Sequence, residues 1–338
     1  MSVSVTDPIG LAFSRTGLML FRPFKFRAWL VLGLAAALAL VGEGVSPLFN
    51  IALNLAINAG QHLQMDEVLQ WLQAHLSMVE VLLIVAVVVL FPVYLLLRWI
   101  NCRGQFIMLD DVVNNAVHIA EPWEAFGELG NSLLKFRITW DLLVFNAFFI
   151  PAVIAGGIAW PDGKRYFTTG EYQVSGHTIT AVVFLLLACF LVGLLWLLAS
   201  SIVFRLAIPV MYIRRMKAWP AVKVAWRELF LRHMGSCLLF FLLSIVISFI
   251  KGFASSIGLL VLSVFTVCIA YVVVFIPVAG NYPVALGGLP VYVFDRAYCL
   301  HFISQFGPEY QIAWQVPAVG GFPVIMDNAP AAPGPSGA

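Results

Sequence analysis

Residues 79–100 read VEVLLIVAVVVLFPVYLLLRWI, an apolar run whose charges are confined to Glu80 at one end and Arg98 at the other. A helix of this length rises about 30 Å at 1.5 Å per residue, which matches the hydrocarbon thickness of a bilayer. The run therefore reads as a membrane span. Pro92 inside it predicts a kink, since a membrane helix finds other partners for the carbonyl that proline frees. Working outward, further apolar runs occupy about 28–43, 138–160, 178–204, 236–253 and 257–279. The expected architecture is all-α: a polytopic membrane helix bundle with six transmembrane helices and short interfacial helices.

The boundaries follow from local chemistry. Residues 1–27 form a cytoplasmic interfacial segment, with Asp7 as helix cap and Pro8 at the first helical position. A secretory signal has no use for such a helix before its basic residues. Pro161, Asp162 and Gly163 end the third run with turn residues, and the small-residue link Ala254 to Ser256 makes the fifth and sixth runs a hairpin. The fourth run stays apolar to Ile213 without a turn, so it reads as one helix projecting past Arg205, with Pro209 bending its end. A single membrane domain spans 28–312, and the Pro/Ala/Gly-rich stretch 313–338 is expected to be a disordered tail.

Composition agrees, with 62% hydrophobic and 11% charged residues against roughly 25% charged in a soluble domain. Charge distribution supplies orientation. Sixteen of the nineteen Lys and Arg residues fall on alternate connections: Arg15, Arg22, Lys25 and Arg27, then Arg98, Arg103, Lys135 and Arg137, then seven between Arg205 and Arg232, then Arg296. Lys164, Arg165 and Lys251 are left for the other side. Basic residues are retained in cytoplasmic loops, so a multi-pass protein with both termini in the cytoplasm is expected.

Chemistry-bearing motifs are sparse. There is no H-E-x-x-H, no phosphate loop and no G-x-S-x-G elbow, and the five cysteines lack any C-x-x-C pair. No catalytic residue, metal or cofactor is expected, and no nucleic-acid partner. Charges at membrane depth do require partners. Asp141 and Arg205 lie at similar depth and are expected to pair, in the plainer reading as a structural salt bridge. Glu43 and Lys251 form a second candidate pair on the outer side. Asn146, with Asn50, Asn54 and Asn58 repeating at four-residue intervals, could line a polar cavity. Asp110, Asp111 and His118, near Glu121 and Glu124, are the best available trio for interfacial chemistry. Val222, Ala225, Trp226, Leu229 and Phe230 form one face of an interfacial helix. The basic residues Arg214, Arg215, Lys217, Lys223, Arg227 and Arg232 around it are candidates for contact with anionic lipid.

Certain stretches carry a resemblance. Arg103-Gly104-Gln105-Phe106, Leu109-Asp110, Val112-Val113, Glu121-Pro122-Trp123 and Gly130-Asn131-Ser132-Leu133 lie after the second run; Phe21-Arg22-Pro23-Phe24 precedes the first. Near the end come Phe294-Asp295-Arg296-Ala297-Tyr298 and Gln305-Phe306-Gly307-Pro308-Glu309-Tyr310. Together they resemble a family of uncharacterised bacterial six-span membrane proteins, a domain of unknown function. That family is loosely similar to the membrane domain of some glycerophosphodiester phosphodiesterases. The resemblance implies the fold and a bacterial cytoplasmic (inner) membrane as the location, and no activity.

The first functional expectation is a non-enzymatic scaffold, partner subunit or membrane-organising factor, with membrane lipid or another membrane protein as partner. A small solute transporter or channel is the alternative, and a lipid-modifying membrane enzyme the third.

Overall fold

The computed structural model describes residues 3–41, 74–115, 117–169, 175–266, 273 and 279–315, and these contain helices and no strand. Glu43, Asn50, Asn54, Asn58, most of the sixth apolar run beyond Thr266, and the tail from residue 316 lie outside them. In chain order the helices are α1 (Asp7–Leu20), α2 (Phe26–Leu40), α3 (Leu76–Asn114), α4 (Ala120–Ala125), α5 (Gly127–Thr169) and α6 (Gly176–Arg214). Then come α7 (Ala218–Val224), a π-helical turn (Ala225–Phe230), α8 (Met234–Phe265), α9 (Asn281–Gly287) and α10 (Leu289–Ile303). Helices α3, α5, α6 and α8 contain segments long and apolar enough to cross a membrane, which points to a membrane protein. They carry the second to fifth of the expected spans. The first falls on α2, whose 15 residues rise only about 22 Å at 1.5 Å per residue.

Two expected turns are not formed. Helix α5 continues through Pro161, Asp162 and Gly163 to Thr169. Asp162 instead secures the start of α6, accepting the Ser175 backbone N–H at 2.7 Å and the Thr178 hydroxyl at 2.5 Å. Helix α8 runs unbroken through Ala254–Ser256. Small residues there serve helix contact: a Cβ on Gly258 would lie 2.3 Å from the Gly287 carbonyl oxygen of α9, while the Ser256 hydroxyl bonds back to Gly252 O at 2.9 Å and keeps the turn helical. Sequence shows that small residues permit a bend; it does not show that a neighbour fills the space instead. The fourth run is one helix, as expected, and continues through Pro209.

The long helices have two zones. Val81–Leu96 of α3, Leu142–Trp160 of α5 and Ile179–Trp196 of α6 turn large apolar side chains outward. Beyond them lies a close-packed end containing Cys102–Val113, Phe126–Phe136, Val203–Met211 and most of α10. Helix α10 runs antiparallel to α8: Tyr292 meets Ser255, Asp295 meets Lys251, and Tyr298 and Phe302 stack on Phe240 at 5.2 and 4.2 Å. The last turn of α3 is finished by α1. Buried Arg15 donates to Val112 O at 2.9 Å, Val113 O at 2.8 Å and Gln315 O at 2.6 Å, placing a cation where the helix leaves carbonyls unpaired. Asn115 then takes the left-handed conformation, φ 49°, that asparagine tolerates.

Beside Arg15, the His301 ring stacks on Trp314 at 4.2 Å. Burial, with the Arg15 charge, lowers the imidazole from its ordinary 6.5 to about 4. The folded protein thus binds this proton less readily than the unfolded chain, and stability from this residue is full above about pH 6.5 and lost as pH falls toward 4. His301→Phe is expected to flatten that part of the pH profile, as read by thermal unfolding in detergent between pH 4 and 7. An unchanged profile would show that His301 does not set it.

Candidate functional site

Charged side chains gather where the outward-facing apolar zone meets the packed end. On α3 and α5, Arg98 pairs with Asp141 at 2.9 Å, and Tyr94 donates its hydroxyl to the same carboxylate oxygen at 2.5 Å. On α6, α8 and α10, the buried carboxylate of Asp295 accepts Arg205 Nη1 and Lys251 Nζ, each at 2.8 Å, one on each oxygen. Arg205 also donates to Ser248 Oγ at 3.1 Å. Burial alone would raise the Asp295 carboxyl, but the charges of Lys251, Arg205 and Arg296 outweigh it and hold the group well below the usual carboxylate range.

Between these clusters runs a chain of polar contacts centred on the end of α2. Asn101 and Gln105 both donate to Ala39 O, at 2.6 and 2.9 Å. Their side-chain oxygens accept from Arg137 and Arg296 respectively. Four helices are thereby tied together through one backbone carbonyl. The Arg103 guanidinium lies 4.4 and 5.1 Å from the ring centres of Trp99 and Trp123.

The expected pairs are corrected by this arrangement. Asp141 does not pair with Arg205; Arg98 reaches it from α3, while Arg205 turns to α8 and α10. Depth was readable from the sequence, but the facing direction was not. Lys251 does not wait for an outer partner, because its ammonium is on Asp295 beside Arg205. Glu43 lies outside the described residues, as do Asn50, Asn54 and Asn58. The exposed Asn146 amide bonds back to Leu142 O at 2.8 Å on its own helix.

The Asp110, Asp111 and His118 trio does not converge. Asp110 accepts the Tyr212 hydroxyl at 2.9 Å, and buried Asp111 accepts the His118 backbone N–H at 3.1 Å. Histidine contributes main chain there. Among the described residues no group of three or more His, Cys, Asp or Glu is placed to hold a metal. A shallow apolar depression of about 320 Å³, lined by Leu30, Val31, Leu34 and Tyr282, offers no charged group.

The basic stretch divides in two. Arg214 lies 3.7 Å from Glu228 and 3.9 Å from Glu309, and donates to the Tyr310 hydroxyl at 3.4 Å. Arg215 takes a left-handed φ of 50° and stacks 4.1 Å over Phe126. Both arginines are used within the fold. Lys217, Lys223, Arg227 and Arg232 are exposed and make no ion pair among the described residues.

Asp295, Arg98, Asn101 and Gln105 were missed as site residues. A signal existed for the first: in a helix starting at Leu289-Pro290, Asp295 shares a stripe with Tyr298, Cys299 and Phe302, and one acid on an apolar stripe needs a buried cation.

A double-mutant cycle checks the corrected pairing. Arg98→Ala with Asp141→Ala should show coupling of about 0.5–1 kcal/mol, the range for partly exposed pairs. Arg205→Ala with Asp141→Ala should be additive within about 0.5 kcal/mol. Coupling in the second cycle and none in the first would restore the original pair.

The described residues form an all-helical fold with four helices long and apolar enough to cross a membrane, which suggests the class of helical membrane proteins. Residues 3–312 match DUF7544, a family of unknown function, and the chain belongs to that family. No curated protein and no solved structure matches it.

Proposed function

We propose that this is a six-span protein of a bacterial cytoplasmic membrane, with both termini in the cytoplasm, acting as a non-enzymatic scaffold, partner subunit or membrane-organising factor. The observation that carries the reading is the use of its charges. Arg98 with Asp141, Arg205 and Lys251 with Asp295, and Arg214 with Glu228 satisfy one another across helices. Groups paired in this way fix helix positions and leave little chemistry free. A solute transporter is the second reading, favoured by the partly exposed Tyr94–Asp141–Arg98 cluster beside the apolar zone.

Affinity purification from native membranes, followed by mass spectrometry, separates the two readings. A stoichiometric protein partner is expected; a copurifying solute with measurable flux after reconstitution would replace the scaffold by the transporter. Labelling of Lys164→Cys in intact cells, and of Lys217→Cys only after permeabilisation, is the expected topology. The reverse pattern would invert it.

A further inference from the structure

We infer that the outward face of α7 and the following π-helical turn docks on anionic phospholipid headgroups, an inference that rests on the membrane reading above. The stretch is two-faced. Ala218, Ala221, Ala225 and Leu229 are buried against the packed end, while Trp219 and Trp226 are 55% and 45% exposed. Around the two indoles stand Lys217, Lys223, Arg227 and Arg232, all exposed. The one acid of the stretch, Glu228, is taken up by the Tyr310 hydroxyl at 3.0 Å and by Arg214 at 3.7 Å. What faces outward is therefore cationic and aromatic.

Depth selects the occupant. The Trp219 ring meets Phe136 of α5 edge-on at 5.1 Å, and Leu142, where the outward apolar zone of α5 begins, lies six residues farther along. That is about 9 Å of helix, so the indole stands at the edge of the spanning zone, where tryptophan accumulates in membrane proteins. Nearby Trp140 and Phe204 pack on the same Phe136 at 6.1 and 6.3 Å and continue the aromatic layer. The Trp219 indole at this depth, among cations that make no ion pair with the described residues, fits the interface of a bilayer bearing negative headgroups. An acidic protein surface would satisfy the cations but would not require the continuity with the spans.

The test uses the full chain reconstituted into nanodiscs containing equal mole fractions of brominated phosphatidylglycerol or brominated phosphatidylcholine. The contribution of Trp219 and Trp226 is isolated by difference against Trp219→Phe/Trp226→Phe. It should be quenched at least twofold more by the anionic lipid. The excess should vanish in Lys217→Gln/Lys223→Gln/Arg227→Gln/Arg232→Gln, whose unchanged thermal midpoint checks folding, and should shrink at high salt. Equal quenching by both lipids, or none, overturns the inference, and salt-sensitive capture of an acidic protein in its place would identify the other occupant. The remaining eight of the ten tryptophans report on the parent reading separately: quenching of that background by either lipid shows insertion, and its absence would overturn the membrane assignment itself.

Discussion

Asp295→Asn is expected to lower stability by about 3 kcal/mol, because it leaves two cations facing each other without their shared anion. Arg205 and Lys251 each sit 2.8 Å from one carboxylate oxygen, with side chains 19% and 18% exposed. Removal of one member of a buried ion pair costs about 3–5 kcal/mol, and partial exposure of these cations places this case at the lower end. The loss arises from the orphaned charges more than from the missing bonds. It should therefore be reduced by a second change that removes a charge without removing volume. Lys251→Met in the Asp295→Asn background is expected to recover about half, since Arg205 keeps its bond to Ser248. Thermal or denaturant unfolding in a fixed detergent measures both variants. A single variant within about 0.5 kcal/mol of wild type would show that water or lipid already neutralises the cluster, and a double variant worse than the single would show that Lys251 packing outweighs its charge.

That cluster also shows what could be read in advance. Apolar runs and their lengths located α3, α5, α6 and α8 because hydrophobic content along a chain is a local property. Charge spacing likewise placed Arg205 and Asp141 at comparable depth. Partner choice required knowledge of which way each helix faces, and a run that is apolar on all sides has no periodicity to reveal it. Arg98 counted in the sequence as one loop cation among sixteen, yet in the fold it holds Asp141. The turn expected at Ala254–Ser256 failed for a related reason. Small residues are ambiguous between a bend and a close helix contact, and Gly287 on α9, against Gly258, decides for contact. The basic stretch was legible as a cluster, but not as two populations, since Glu228, Tyr310 and Phe126 claim only Arg214 and Arg215.

Gly104→Val should have an effect at least as large, and it gives a physical reason for the Arg103-Gly104-Gln105-Phe106 stretch. A Cβ at residue 104 would lie 2.5 Å from the carbonyl carbon of Leu38 and 2.6 Å from the nitrogen of Ala39. Both are backbone atoms, so no side chain can rotate away and α2 itself must shift. Ala39 O is the acceptor shared by Asn101 and Gln105, and displacing it loosens two buried hydrogen bonds as well as the close contact. Overpacking costs about 1–3 kcal/mol, and each buried donor left without a partner adds about 1–3 kcal/mol. A total of about 3–5 kcal/mol is expected, with Gly104→Ala intermediate. Gly156 on α5 provides the comparison, since a Cβ there meets nothing within 4 Å. Gly156→Ala should be neutral or stabilising by up to about 1 kcal/mol through helix propensity alone. If Gly104→Ala and Gly156→Ala unfold at the same temperature, α2 does not lie against α3 at this residue, and the polar chain from Arg137 to Arg296 loses its centre.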